Sequence, residues 1–166
     1  MSGVIVRTCA KVNLCLRVLG RRDDGFHEVQ TVLHTVSLWD RVRLSPLRGD
    51  GEVSIRVTGG DVPADESNLC WRAARALAEH VHPSGGVAIE LEKSIPTGAG
   101  LGGGSSDAAA TLVGLARLWE VDLKPEEMEG IGASLGADVP FFLRGGCCLA
   151  RGRGEKLEAL PSVPLW

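Results

Sequence analysis

The sequence lacks several features that define common classes of protein. It has no tyrosine, and aromatic residues make up only 4% of its 166 residues. No apolar run is long enough to cross a membrane, and the first residues lack the pattern of a secretory signal. The net charge of −3 argues against binding nucleic acid through bulk charge. We therefore expect a cytoplasmic protein with no nucleic-acid or membrane partner.

The five cysteines do not form a metal or redox motif. Cys147 and Cys148 are adjacent, and no cysteine stands in a CxxC pair. Three of the five lie in apolar runs, where a free thiol behaves as a small hydrophobic side chain. We interpret all five as structural and expect no disulfide bonds.

A glycine-rich loop over residues 96–106 is the most informative stretch of the chain. It reads Pro-Thr-Gly-Ala-Gly-Leu-Gly-Gly-Gly-Ser-Ser, and Asp107 and an alanine-rich run follow it. Glycine lets the backbone adopt positive φ and approach a ligand closely. We expect Ser105, Ser106 and Asp107 to cap a following helix, whose free N–H groups and dipole favour an anion. The pattern therefore predicts a phosphate-binding loop.

Other kinds of glycine-rich segment fit this stretch less well. A Walker loop ends in Gly-Lys-Ser/Thr, and no lysine is present here. A GxGxxG pattern occurs at Gly98, Gly100 and Gly103, but a dinucleotide fold needs a buried parallel strand before it, and residues 87–92 alternate instead. A flexible linker is disfavoured because the loop lies between a predicted strand and a predicted helix.

The rest of the pattern predicts an α+β fold with strands early and helices later. Residues 3–19 alternate, so their even-numbered apolar residues are expected to face the core, and Lys11 and Asn13 to share the opposite face. We predict a hairpin loop at 47–51 and a helix cap at Asp65 or Ser67. Further strands are predicted at 29–38, 41–44, 52–57, 87–93 and 147–150, and helices from Leu69, from Ala108 and at 125–136.

Four segments together resemble the GHMP family of small-molecule kinases. They are residues 10–14, 22–27, the glycine loop and residues 136–140, and their order and separations fit along essentially the whole chain. The resemblance implies the GHMP-kinase N-terminal lobe, a ribosomal protein S5 domain 2-like α+β fold with a mixed, mostly antiparallel sheet packed with helices. Members of the family also have a C-terminal lobe. Since this sequence stops at Trp166, we expect residues 1–166 to form the N-terminal ATP-binding lobe alone.

Within the family, the first two segments resemble the kinase branch that acts on a cytidyl-methylerythritol in non-mevalonate isoprenoid synthesis. The resemblance implies transfer of the γ-phosphoryl group of ATP to the 2-hydroxyl of that small-molecule substrate. It implies Mg²⁺ as a second cofactor, with its ligands unassigned. Asp138 would accept the hydroxyl proton, and Lys11 would offset negative charge in the transition state.

The resemblance also implies binding residues. His27 would hydrogen-bond the cytosine and Phe26 would stack on it, although the family commonly has tyrosine at the second position. Asn13 would lie on the substrate side of the site. The residues implied at ATP are Asn68, Leu69, Pro96, Gly98, Ala99, Gly100, Leu101, Gly102, Gly103, Gly104, Ser105 and Ser106.

Other functions stay open from the sequence alone. One is a GHMP kinase for a mevalonate-type or sugar alcohol, although the Gly-Phe-His segment at residues 25–27 argues against it. Another is a catalytically impaired nucleotide-binding lobe that needs a partner chain. A dinucleotide-dependent oxidoreductase is the least supported. The sequence does not indicate an oligomeric state.

Overall fold

A computed structural model describes residues 3–21, 25 and 27–161. The predicted stacking residue Phe26 lies outside the described residues. Within them, the strands and helices follow in this order: β1 Val4–Arg21, β2 His27–Leu47, β3 Val53–Thr58, α1 Leu69–Val81, β4 Gly86–Glu92, α2 Gly103–Leu118, α3 Pro125–Leu135, α4 Val139–Arg144, β5 Cys147–Gly152 and β6 Lys156–Leu160.

Strand β2 organises the sheet. β1 pairs with it along one edge, and β4 and β5 pair with its two halves along the other. β3 extends the sheet from β4, and β6 extends it from β5. Only the β3–β4 pair is parallel among the described pairings. The predicted α+β fold with a mixed, mostly antiparallel sheet is therefore confirmed.

Two predictions about β2 are wrong. The sequence predicts separate strands at 29–38 and 41–44, but β2 continues through both. Its pairing with β1 shifts between Cys9 and Ala10, so the apparent break is a bulge inside one strand. The predicted hairpin loop at 47–51 does not join paired strands either, because β4 lies between β2 and β3.

The same bulge changes which residues of β1 face the helices. Before it, the Thr8 hydroxyl donates to the Ser106 carbonyl at 3.0 Å, so even-numbered residues face α2. After it, Leu14, Leu16 and Val18 are 47%, 58% and 60% exposed. The prediction that they face the core is wrong: the pairing with β2 shifts again between Asn13 and Cys15, so the simple alternation does not continue along this half of β1.

The main core lies between the sheet and helices α1 and α2. Its largest fully buried side chains include Leu44 of β2, Leu77 of α1, Ile89 of β4 and Leu112 of α2. A smaller cluster of Leu33, Phe141, Cys148 and Ala150 packs α4 against β2 and β5. This second cluster fixes the position of residue 138, immediately before α4.

The start of α1 corrects one further expectation. Asn68 caps α1 by accepting from the Cys70 N–H at 2.9 Å, whereas Asp65 accepts from the Ser67 N–H in the preceding turn. All five cysteines are free thiols in the structure; Cys70, Cys147 and Cys148 are buried and Cys15 is exposed. No helix in the described ranges has the length and apolar character needed to cross a membrane.

Gly114 offers a test of how α2 packs on the sheet. A Cβ there would lie 2.5 Å from Leu44 Cδ1 and 3.1 Å from Val6 Cγ2. Since Leu44 is fully buried, we expect Gly114→Ala to lower the free energy of unfolding by about 1–3 kcal/mol. Chemical denaturation measures this change.

Gly130 in α3 provides the matched control. A Cβ there meets nothing within 4 Å, so Gly130→Ala should raise helix stability by about 0.5–1 kcal/mol. Equal effects of the two substitutions on the unfolding midpoint would contradict the packing described for α2.

Candidate active site

A cavity of about 390 Å³ opens at the N-terminus of α2. Residues 96–105 of the glycine loop line it, together with Lys11 from β1 and Asp138 from the start of α4. Val62 and Leu69 form an apolar part of its wall. The structure thus brings together the loop, Leu69, Lys11 and Asp138, which are far apart in the sequence.

Alternate glycines give the loop its shape. Gly98, Gly100 and Gly102 have φ values of 72°, 73° and 71°, a region that favours glycine. At Gly102, an added Cβ would lie 2.8 Å from the Phe142 ring and 3.1 Å from Lys11 Cγ. The Lys11 N–H donates to the Leu101 carbonyl at 3.0 Å. The loop is therefore held between β1 and α4 at its last turn.

Helix α2 begins without the side-chain cap that the sequence predicts. Its N-cap is Gly102, and no side chain bonds the helix end. The first bond of the helix runs from the Ser106 N–H to the Gly102 carbonyl at 2.9 Å. The N–H groups of Gly103, Gly104 and Ser105 precede that bond and belong to residues that line the cavity. An uncapped helix end of this kind suits an anion better than a capped one.

Two residues predicted at ATP are engaged elsewhere. The Ser106 hydroxyl is fully buried and donates to the Cys9 carbonyl at 2.5 Å. The Asn68 amide caps α1 and donates to the Pro63 carbonyl at 2.6 Å. Neither residue lines the cavity. Their contacts instead hold β1 and the segment before α1 beside the loop.

Lys11 and Asp138 form an ion pair inside the cavity. The Lys11 Nζ atom lies 3.5 Å from Asp138 Oδ2, and the two side chains are 8% and 35% exposed. Lys11 also donates to Asn13 Oδ1 at 2.7 Å, and the Asn13 amide donates to Thr31 Oγ1 at 2.8 Å. The predicted common face of Lys11 and Asn13 is confirmed. Asn13 therefore orients the Lys11 ammonium towards the cavity.

His27, one of the residues implied for the substrate base, is not among the residues that line this cavity. His27 is exposed at the start of β2, where it pairs with Arg21, whereas Lys11 pairs with Thr35 further along the same strand. Phe26 lies outside the described residues. Their assignments to the substrate therefore stay predictions.

Sequence reasoning missed a buried cluster of Asp40, Lys93 and Asp107 beneath the loop. The Lys93 ammonium bonds Asp40 Oδ2 and, at 2.8 Å, Asp107 Oδ2. Asp40 Oδ1 accepts the N–H groups of Ser94 and Ile95 at 2.5 and 2.9 Å. These bonds fix the segment that leads into the glycine loop. The signal in the sequence was Asp40, a charged residue directly after apolar Leu38 and Trp39, which we interpreted as a strand break.

Comparisons with known proteins identify relatives of this chain. Residues 68–146 match the family model described as GHMP kinases N terminal domain. A crystal structure of 4-(cytidine 5'-diphospho)-2C-methyl-D-erythritol kinase has a TM-score of 0.81 and 43% identity, over 94% of this chain and 55% of that one. The chain therefore has the fold of the GHMP kinase N-terminal domain, as its resemblance predicts, and its sequence is similar to members of that family.

Two curated relatives have names that point to one kinase within the family. The 4-diphosphocytidyl-2-C-methyl-D-erythritol kinase of Exiguobacterium sibiricum is 49% identical over 97% of this chain and 56% of its own length. The protein of the same name from Acaryochloris marina is 47% identical over 98% of this chain and 52% of its own length. The chain spans about half the length of these relatives. Their names do not favour the alternative functions.

The matched pair Gly102 and Gly145 tests the loop as the nucleotide site. We expect Gly102→Ala to weaken ATP binding about tenfold or more, because an L side chain is strained at positive φ and meets Phe142. Gly145→Ala should bind ATP normally, since Gly145 has a nearly equal φ of 72° but does not line the cavity, and its Cβ would meet nothing within 4 Å. Calorimetric titration with ATP measures both affinities. Equal ATP affinities of the two variants would show that the nucleotide binds elsewhere.

Proposed function

We propose that this chain is the N-terminal lobe of an ATP-dependent kinase that phosphorylates the 2-hydroxyl of 4-diphosphocytidyl-2-C-methyl-D-erythritol. The observation that carries the proposal is the Lys11–Asp138 pair, 3.5 Å apart in the cavity that the glycine loop lines. The names of the relatives at 47–49% identity support the substrate. The part of these relatives that lies outside the match is proposed to correspond to a C-terminal lobe. The protein that contains both lobes is called the full-length protein below.

The loop and the start of α2 are proposed to hold the triphosphate. Phosphoryl transfer asks mainly for positioning and charge stabilisation, and backbone N–H groups at a helix N-terminus provide both. Val62 and Leu69 offer an apolar wall for the adenine. Asn68 and Ser106 contribute indirectly, through the bonds that hold the wall and the loop.

Mg²⁺ is proposed to enter with ATP. Mg²⁺ in kinase sites commonly keeps waters and is bound through one or two carboxylates and the substrate phosphates. The described residues contain no group of three acidic, histidine or cysteine side chains that could hold a metal. Asp138 is the acidic residue that lines the cavity, so the side chains present fit a metal held largely by phosphates. When bound, Mg²⁺ supplies positive charge to the phosphates.

Asp138 is proposed as the base and Lys11 as the charge stabiliser. A carboxylate at the cavity can accept the proton of the attacking hydroxyl, and a loose transition state needs only a weak base. The Lys11 ammonium lies where it can offset charge on the transferred group. Asn13, which bonds Lys11, is proposed to meet the substrate alcohol, and Phe26 and His27 its cytosine.

Asp138→Asn tests the assignment of the base. The amide keeps the shape of the side chain but cannot accept the hydroxyl proton. We expect kcat of the full-length protein to fall about 100-fold or more, with ATP affinity little changed. Asp122→Asn, at an exposed position between α2 and α3, should leave kcat unchanged. A nearly normal kcat for Asp138→Asn would exclude this residue as the base.

A second test compares residues 1–166 with the full-length protein. One lobe holds the substrate from one side only, so orientation and exclusion of water are lost. The exposed Leu14, Leu16 and Val18 should also favour self-association. We expect residues 1–166 to bind ATP weakly and to release ADP with this substrate at least about a thousandfold more slowly, a loss of about 4 kcal/mol. Turnover within tenfold of the full-length protein would show that one lobe suffices.

A further inference from the structure

The Asp40–Lys93–Asp107 cluster lies directly beneath the glycine loop. Lys93 lines the cavity, and a Cβ built at Gly103 would lie 2.9 Å from its Nζ atom. Gly103 is the first residue of α2, and Asp107 follows in the next turn, about 6 Å along the helix axis. The charge of the cluster is therefore close enough to act on an anion held at the loop.

The cluster contains two carboxylates and one ammonium group. Asp40 is fully bonded, because one oxygen accepts from Lys93 and the other accepts two backbone N–H groups. Asp107 is not, because its Oδ1 atom is buried and has no hydrogen-bond partner among the described residues. The Asp107 side chain is only 3% exposed. A buried carboxylate oxygen without a partner is the atom of this cluster best suited to hold a proton.

The charged surroundings of Asp107 favour that proton. Burial raises the pKa of Asp107 to about 7; Lys93 opposes the rise and the second carboxylate, Asp40, adds to it. On α1, burial raises the pKa of the Cys70 thiol to about 12, so that neighbour is neutral near pH 7. Other charged groups on elements packed against α2 pair with one another: Lys11 of β1 with Asp138, and Glu129 of α3 with Arg144 of α4.

We propose that Asp107 controls how tightly the glycine loop holds the phosphates of ATP, and that its Oδ1 takes up a proton from solvent when ATP binds. The inference rests on the proposed function, because it requires phosphates at the N-terminus of α2. Their negative charge disfavours the ionised form of Asp107 and so favours its protonation. Above neutral pH, where the free protein has lost this proton, ATP must bind more weakly.

Calorimetric titration with Mg-ATP counts the protons directly. The full-length protein is titrated without alcohol substrate, between pH 6.5 and 8.5, in buffers of different ionisation enthalpy. We expect uptake of a large fraction of a proton near pH 8, and a loss of about tenfold in ATP affinity across this range. Asp107→Asn keeps the shape of the side chain but cannot ionise. It should take up fewer protons and bind ATP more tightly than the natural protein at pH 8.5.

ATP itself can gain or lose protons when it binds, and this contribution is the same for the natural protein and for Asp107→Asn. The readout is therefore the difference in proton uptake between these two proteins. Asp122→Asn, at an exposed position, should match the natural protein. Equal proton uptake by the natural protein and Asp107→Asn overturns this inference alone. Failure of the natural protein to bind ATP overturns the proposed function as well. If Asp107→Asn does not fold, the natural protein still decides, because an absence of proton uptake at pH 8 overturns the inference.

The pH dependence of unfolding gives a measurement that does not need ATP. The pKa of Asp107 is raised from 3.8 to about 7 in the folded protein, so the folded state holds this proton more tightly than the unfolded chain. The contribution of this proton to the free energy of unfolding is therefore lost as pH rises from about 4 to about 7. Asp107→Asn should remove that loss. A constant difference in melting temperature between the two proteins across this range would show a structural role only and overturn the inference.

Discussion

The position of the candidate site depends on one buried ammonium group. Lys93 follows β4, and its Nζ atom bonds a carboxylate from β2 and another from α2. Removing one partner of a buried ion pair is strongly destabilising, because the charge left behind is neither hydrated nor paired. Here the loss of Lys93 leaves two buried carboxyl groups, Asp40 and Asp107, without their common partner. The sheet, the loop and the helix that follows are thus joined at a point below the cavity.

The bulge between Cys9 and Ala10 is the second constraint on the site. It turns the strand so that Lys11 faces the cavity while its N–H group still reaches the Leu101 carbonyl. The same residue therefore fixes the loop through its backbone and supplies a charge through its side chain. On the opposite wall, the packing of Phe141 against Leu33 sets the position of Asp138. The ion pair across the cavity follows from these two local arrangements.

Local patterns in the sequence predicted much of this structure. The alternation of β1, the proline at the start of α3 and the glycine cluster each identify an element within a few residues, because these signals act over short distances. The common face of Lys11 and Asn13 follows from the period of a strand. The resemblance to a family added the connection between Lys11, the loop and Asp138, which no local pattern contains.

The features that were missed depend on tertiary contacts. A bulge has no side-chain signature, so alternation alone wrongly placed Leu14 and Leu16 in the core. Ser105 and Ser106 resemble helix caps, but Gly102 turns the chain at positive φ and starts the helix earlier. The buried cluster joins residues that are 53 and 14 positions apart. Asp40 alone therefore resembles a loop residue in an otherwise apolar stretch.

The place of β2 in the sheet also bears on how the nascent chain folds. β1 and β2 are synthesised before the strands that complete the second edge of β2, which are β4 and β5, whose Cys147 pairs with His34. Until those residues are synthesised, the edge presents unpaired N–H and C=O groups to other chains. Pairing across so long a stretch of chain is slow because the intervening loop must close first. We therefore expect a chaperone at the ribosome to bind the β1–β2 pair before β4 and β5 are synthesised.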